Sequence, residues 1–260
     1  MDLMTILGLA LGLTALLLSV VLEGGHITSL FSLPAFVLVF GGTIGATAVC
    51  FTLEELKSVP ALLRIAFKEE KYDTGQLIAT LVGFAEKARR EGLLALEEDL
   101  AGIEDNFLQK GMQLVIDGTD AELVRSIMET ELTFIQERHH KAASIFETAG
   151  GYAPTMGIIG TVMGLVHVLG NLTDTESLGP AIATAFIATL YGVASANIFF
   201  LPIGAKLKNR SSRQVLFHEV TLEGILSVQA GDNPRIVAEK LAAFLAPKQR
   251  EIMKRDKSEA

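Results

Sequence analysis

The sequence predicts an all-α integral membrane protein with four transmembrane helices, the third and fourth of which extend into a helical cytoplasmic domain. Three observations carry that reading. Four long runs contain no Asp, Glu, Lys or Arg: Leu3–Leu22, Leu33–Leu53, Ala149–Thr173 and Ser177–Ala205, of 20, 21, 25 and 29 residues. At ~1.5 Å of rise per residue, about 20 residues cross the ~30 Å hydrocarbon layer. The 22 Lys and Arg residues fall entirely within Glu54–Thr148 or after Ala205, 11 in each region, so both regions and both termini are expected inside. Between the runs, apolar residues recur at helical spacing.

The first run is preceded by Asp2 and by no basic residue, and "LSVVLEGG" lacks a small-x-small cleavage pattern, so it reads as a retained span. The loops Glu23–Ser32 and Gly170–Pro180 hold no Lys or Arg and read as outer hairpins. The chain then divides into residues 1–53, with spans at about 3–22 and 33–53; 54–148, a cytoplasmic helical loop; 149–205, with spans at about 150–170 and 180–205; and 206–260, a cytoplasmic helical tail.

Within the loop, Thr52 with Glu55 forms a capping box where the chain leaves the second span. Asp73 or Thr74 caps a helix whose stripe is Leu77, Ile78, Leu81, Phe84, Ala85 and Ala88, ending at Gly92. The pattern continues through Leu96, Leu100, Ile103, Phe107 and Leu108. Thr119, with Glu122 three residues on, caps a helix with no breaker before Gly150, and it runs on into the third span as a stiff lever. The tail after Pro247 is highly charged, and Asn171–Thr173 matches a glycosylation sequon that carries no weight here.

Charge and motifs exclude several classes. A net charge of −8 argues against nucleic acid. The single Cys50 makes no internal disulfide, and no phosphate loop or metal-spaced Cys/His cluster is present, so no cofactor, fixed metal or enzyme chemistry is expected. His139 and His140 are adjacent and diverge by about 100° on a helix.

Within the third run, the stretch Gly151–Gly170, "GYAPTMGIIGTVMGLVHVLG", holds five glycines, a proline, two threonines and a histidine. In lipid, small residues let helices approach, and Gly157, Gly160 and Gly164 offer such a flank. The fourth run answers with Ala181, Ala185 and Thr189, followed by Gly192 and Ala196. Pro154 and Pro202 each remove a backbone hydrogen bond near the inner face. Thr161 and Thr189 can coordinate a cation or hold water, although threonine more commonly bonds its own helix. No span carries an ionisable acid, so either the chain moves no ion or another subunit supplies the acid.

Four stretches together are specific: "FGGTIGA", "KARREGLLALEEDL", "GYAPTMGIIGTVMGL" and "ATLYGVASANIFFLPIGAKLK". On these the chain resembles the A subunit of the bacterial flagellar motor stator, the MotA/PomA family. The resemblance implies a multi-pass protein of the bacterial cytoplasmic membrane, in contact with lipid. It implies a pentamer around the membrane helices of a MotB/PomB-like B-subunit dimer that brings the missing aspartate. Ion passage would drive flagellar rotation through a contact between the cytoplasmic loop and the rotor protein FliG. Arg89 and Glu97 fall on the family's rotor-contact charges, roles that the neighbouring Arg90 and Glu98 can share or replace; Pro154 and Pro202 fall on its coupling prolines. Thr161 resembles sodium-type members, while Ala188 departs from the paired threonines of some of them. The translocated cation is Na+ or H+, with sodium the first expectation and a transient site near Thr161 and Thr189. The alternative is a TolQ/ExbB-like energiser of another envelope process, disfavoured by the fourth span. A substrate carrier is disfavoured by the lack of an internal repeat.

Overall fold

The computed structural model describes residues 2–69, 72–170, 175–245, 247 and 250. The Asn171–Thr173 sequon and most of the charged tail lie outside the described residues. Among the described residues there are helices and no strands, and four helices are long and apolar enough to cross a membrane. The chain forms two compact units, residues 1–69 with 139–209, and 70–138 with 210–260.

The first unit holds the membrane spans. Helix α1 (Leu3–Leu22) is capped by the Asp2 carboxylate, which accepts from the Thr5 amide at 3.2 Å. No residue of α1 is buried, as expected of a helix that faces lipid. Asp2 also pairs with Lys206 and donates its amide to the Phe67 carbonyl at 2.8 Å, tying the chain's start to two other helices. The second span, α2 (Leu33–Cys50), starts on a Ser32 cap with Pro34 in its first turn and widens to π-helical turns over Val37–Gly41. It stops at Cys50, short of the Leu53 expected, because Phe51 is extended and Thr52 begins the next cap. The Thr52–Glu55 capping box is present and opens α3 (Leu53–Lys57). Helix α4 (Val59–Phe67) buries Ala66 against Ala143, Phe146, Ile203 and Leu207.

The second unit is built like a water-soluble helical core. Helix α5 (Thr74–Glu91) is capped by Asp73, whose carboxylate accepts from the Gln76 amide at 3.0 Å. Its buried face is Leu77, Ile78, Leu81, Phe84 and Ala85. Gly92 ends it at φ +88°, a backbone state that side chains rarely adopt. Beyond Gly92 the apolar pattern does not remain one helix. It breaks into a 3₁₀ turn at Leu93–Leu96, the short α6 (Glu97–Leu100) and, after a turn, α7 (Asn106–Ile116) on an Asp105 cap. Of the side chains that pattern singled out, Leu96, Leu100, Phe107 and Leu108 are buried all the same, and Ile103 is half-buried against them.

Helix α8 (Ala121–Gly170) runs 50 residues without interruption, Pro154 included. Its first turn is capped by Asp120 rather than Thr119: the Asp120 carboxylate accepts from the Glu122 amide at 2.9 Å, while the Thr119 amide closes the preceding turn onto Leu114. The last membrane span is α9 (Thr175–Ala194), π-helical turns at Ser195–Phe200, and α10 (Leu201–Gln229). In the second unit α8 contributes Val124, Met128 and Ile135, and α10 contributes Val220, Ile225 and Leu226, to the core around α5. Helix α11 (Pro234–Ala242) closes that core with Val237 and Leu241.

Candidate functional site

Glycine and alanine allow α8 and α9 to touch backbone to backbone. A Cβ placed on Gly157 would lie 2.9 Å from the Ala188 carbonyl oxygen and 3.0 Å from the Thr189 Cα. On Gly160 it would lie 2.5 Å from the Ala188 Cβ, and on Gly164 2.6 Å from the Ala185 Cβ. From the other side, Gly192 abuts the Ala153 carbonyl and the Gly157 Cα. Gly157, Gly160, Gly164, Ala185 and Gly192 therefore form one seam. Ala181 lines a cavity of about 490 Å³ together with Gly160, Gly164, Ala185, His167 and Pro180.

Thr161 and Thr189 meet on this seam. Their hydroxyls are hydrogen-bonded to each other. The Thr161 hydroxyl also lies 3.2 Å from the Gly157 carbonyl of its own helix and 3.0 Å from the Ala185 carbonyl across the seam. The Thr189 hydroxyl reaches the same Gly157 carbonyl at 3.4 Å. Four oxygens thus converge with two hydroxyl protons among them, a neutral oxygen-rich cluster of the kind that can replace part of a cation's hydration shell. No carboxylate lies in any of the four uncharged runs to neutralise that cation.

The two prolines sit where the same helices meet. Gly150 packs against Leu201, the neighbour of Pro202, and Gly192 against Ala153, the neighbour of Pro154. Pro202 has no amide to offer the Ile198 carbonyl, and the wide π-helical turns at Ser195–Phe200 end just before it. Nearby, the Lys208 ammonium and the Glu147 carboxylate pair at 2.7 Å.

The charged candidates belong to the second unit. Arg89 and Arg90 occupy the last turn of α5, Glu97 and Glu98 the first turn of α6, and all four are exposed. The corner between them is stiff: Gly92 makes the bend, Leu96 is fully buried, and the Lys87 ammonium donates to the Asp99 carboxylate at 2.8 Å, bridging α5 to α6. That hydrogen bond holds the Lys87 ammonium above its ordinary value. None of Arg89, Glu97 and Glu98 is in an ion pair among the described residues, so their charges face outward.

Several residues escaped the sequence reading. Ala188, noted for its difference from a threonine pair, is a main contact of Gly160. The Tyr191 hydroxyl donates to the Leu30 carbonyl at 2.6 Å and accepts from the Ser32 amide at 3.2 Å, fixing the hairpin to the last span. Thr43 and Thr47 are buried one turn apart on α2, with hydroxyls unpaired among the described residues. A polar residue every fourth position in an apolar run was the available signal for that pair. No pattern signalled Tyr191 or the Asp2–Lys206 pair, which join residues 159 or more apart.

Two family models match the chain: "Motility protein A N-terminal" over residues 6–92 and "MotA/TolQ/ExbB proton channel family" over 99–219. Motility protein A of Bacillus subtilis is 40% identical, over 96% of this chain and 93% of that protein. Chemotaxis protein PomA of Vibrio alginolyticus is 37% identical, over 94% and 96%. Among solved structures, that of C. jejuni MotAB matches with a TM-score of 0.90 at 33% identity, over 95% of this chain and 97% of that one.

Proposed function

Because this chain belongs to the motility protein A family of the MotA/TolQ/ExbB proton channel proteins, we infer that it is the A subunit of a flagellar motor stator. With a B subunit it forms a cation channel whose ion flow turns the flagellar rotor. The match over residues 6–92 to a model specific to motility proteins favours this over an energiser of another envelope process. The match is to an ion-channel family rather than an enzyme family.

The finer reading rests on one observation: an oxygen cluster, Thr161–Thr189 with the Gly157 and Ala185 carbonyls, in spans that contain no acid. A B-subunit carboxylate facing that cluster completes an ion path. Sodium suits it, because hydroxyl and carbonyl oxygens can coordinate a bare cation, whereas a proton needs only the acid. One elementary charge crossing 100 mV supplies about 2.3 kcal/mol. In this reading five copies surround a B-subunit dimer, and the proline-bearing seam converts ion binding into rotation. Arg89, Arg90, Glu97 and Glu98, exposed on a stiff corner on the cytoplasmic side, meet FliG with both signs of charge, which suits guided and reversible contact.

Conductance tests it. In liposomes the A chain alone should carry no current, and the A–B complex should carry one that follows sodium at fixed pH and voltage. Thr161→Ala should reduce the sodium current severalfold with assembly unchanged. Current from the A chain alone would overturn the incomplete-path reading, and indifference to sodium would assign the path to protons.

A further inference from the structure

A second cavity in the membrane unit, of about 600 Å³, lies between α1, the Ile27–Phe31 turn, α2 and the last span. Its volume is in the ~300–1,000 Å³ range of small-molecule sites. Its shape is elongated: it follows α1 from Leu9 to Leu17, about 12 Å of helix axis. Along the facing span it runs from Leu190 to Phe199.

Its chemistry is almost wholly apolar. Every lining side chain is hydrocarbon or aromatic ring except Tyr191 and Ser195. Both hydroxyls are already engaged, Tyr191 with Leu30 and Ser32, and Ser195 with the Gly192 carbonyl at 3.1 Å. A buried water needs two to four polar partners, and with both hydroxyl protons engaged only the remaining lone pairs of these two oxygens are left for it. The cavity therefore favours hydrocarbon over water, and an unfilled space of this size would forfeit the dispersion contacts of its walls.

We propose that this cavity is a binding site for one acyl chain of a membrane lipid. The occupant follows from position and shape as well as polarity. The cavity runs parallel to the spans, and its mouth is edged by exposed Leu13, Ile27, Phe31 and Phe36, so it is continuous with the lipid-facing surface of α1. An extended hydrocarbon chain is the abundant species there. The adjoining hairpin, Glu23–Ser32, has no Lys or Arg to hold a phosphate. The site thus grips the tail and ignores the headgroup. The bound chain fills the gap between α1, which has no buried residue of its own, and the last span near the π-helical turns Ser195–Phe200. It acts as a removable packing element there.

The chain contains no Trp, so a single introduced Trp is its own reporter. The complex of this chain with its B subunit, the latter freed of Trp, is placed in nanodiscs and exchanged into lipids with brominated acyl chains. Phe40→Trp and Leu17→Trp should emit in the blue and be quenched, with exchange roughly tenfold slower than at the fully lipid-facing control Leu11→Trp, since extra affinity is expressed mainly in the off-rate. Changing phosphatidylglycerol to phosphatidylcholine should leave the slow phase unchanged. Filling the cavity with Ala194→Phe, or with Ser195→Leu should the first not fold, should remove it. Exchange as fast as at Leu11, red-shifted emission open to iodide, or no quenching because a second protein chain occupies the space would each overturn the proposal. The readout needs no ion flow, so its failure leaves the stator reading standing.

Discussion

Two packed regions of the molecule, the core of the second unit and the seam between α8 and α9, are built on opposite principles. In the second unit the core is made of large side chains, with Ile78, Leu81, Leu96, Met112, Ile225 and Leu241 all fully buried. On the membrane seam the contact is made by Gly157, Gly160, Gly164, Gly192, Ala185 and Ala188, and the helices meet through backbone atoms and alanine methyls. The difference is one of solvent. In water, burying each large side chain removes apolar surface and drives collapse. In lipid, a leucine gains little by moving from acyl chains to another helix, so attraction comes from close approach and polar contact, which bulky groups prevent. The unit in water should therefore fail when atoms are removed, and the seam when atoms are added.

The largest effect is expected from adding atoms. Any Cβ at Gly192 runs into the Ala153 carbonyl and sits 3.1 Å from the Gly157 Cα, and backbone cannot rotate away as a side chain can. Gly192→Leu should separate α8 from α9, costing about 3 kcal/mol or more, a large share of a typical total of ~5–15 kcal/mol. Membrane yield of the A–B complex, read by size-exclusion chromatography, should collapse. Normal assembly would show that the seam is not tightly packed in the protein.

Next comes removal of atoms from the water-facing core. Leu81 is fully buried, and its methyls fill the space beside Gly224. Leu81→Ala should cost about 2–5 kcal/mol through lost burial and the residual cavity, read as a lower thermal midpoint by circular dichroism. The membrane spans should still assemble. Equal sensitivity of both regions to Leu81→Ala would erase the distinction between them.

The contrast also explains what the sequence revealed. The uncharged runs, the Gly92 bend and the buried face of α5 were legible because each is local: length, one residue type, or a 3.6-residue period. The Thr161–Thr189 meeting was partly legible, since small residues on two runs implied a contact, but the register between runs is not written in either. Ala188 shows the limit, because alanine fits lipid exposure and seam alike. The stretch after Gly92, which carries Glu97 and Glu98, was expected to continue as helix, and it breaks instead into a 3₁₀ turn and two short helices. An apolar period survives a 3₁₀ turn and a bend when the same residues still point inward, so Leu96 and Leu100 signalled burial without signalling the break. Tyr191 and Lys206 find their partners only through the tertiary fold.

A smaller effect is expected at the membrane edge, where charge rather than packing joins elements. The hydrogen bond from Lys206, foremost, holds the Asp2 carboxyl well below the usual carboxylate range, joined by the Thr5 amide and hydroxyl and the Lys206 charge and opposed by desolvation. A depressed carboxyl contributes stability that is full above its unfolded value of ~4 and is lost as pH falls through the folded value. The wild-type thermal midpoint should therefore drop between about pH 4 and more acid conditions by more than that of Asp2→Asn, which at neutral pH should cost about 1 kcal/mol. Parallel pH profiles for the two proteins would show that the pair contributes nothing.

The smallest expected change runs in the stabilising direction and isolates what glycine does when no neighbour needs it. Gly83 lies inside α5 with nothing within 4 Å of the place a Cβ would take, in contrast to the seam glycines Gly157 and Gly192, where backbone fills it. Its neighbours Phe84 and Ala85 are buried, so the helix is already held by the core and Gly83 faces away from it. Gly83→Ala should raise stability by about 0.5–1 kcal/mol, because alanine loses less backbone entropy in a helix. The same substitution at Gly157 should lower it, since that Cβ would meet the Ala188 carbonyl at 2.9 Å. Opposite signs from one chemical change, read as opposite shifts in thermal midpoint, are what a side-chain core beside a backbone seam requires. A gain at both positions would mean that α8 and α9 stand farther apart than their glycines imply.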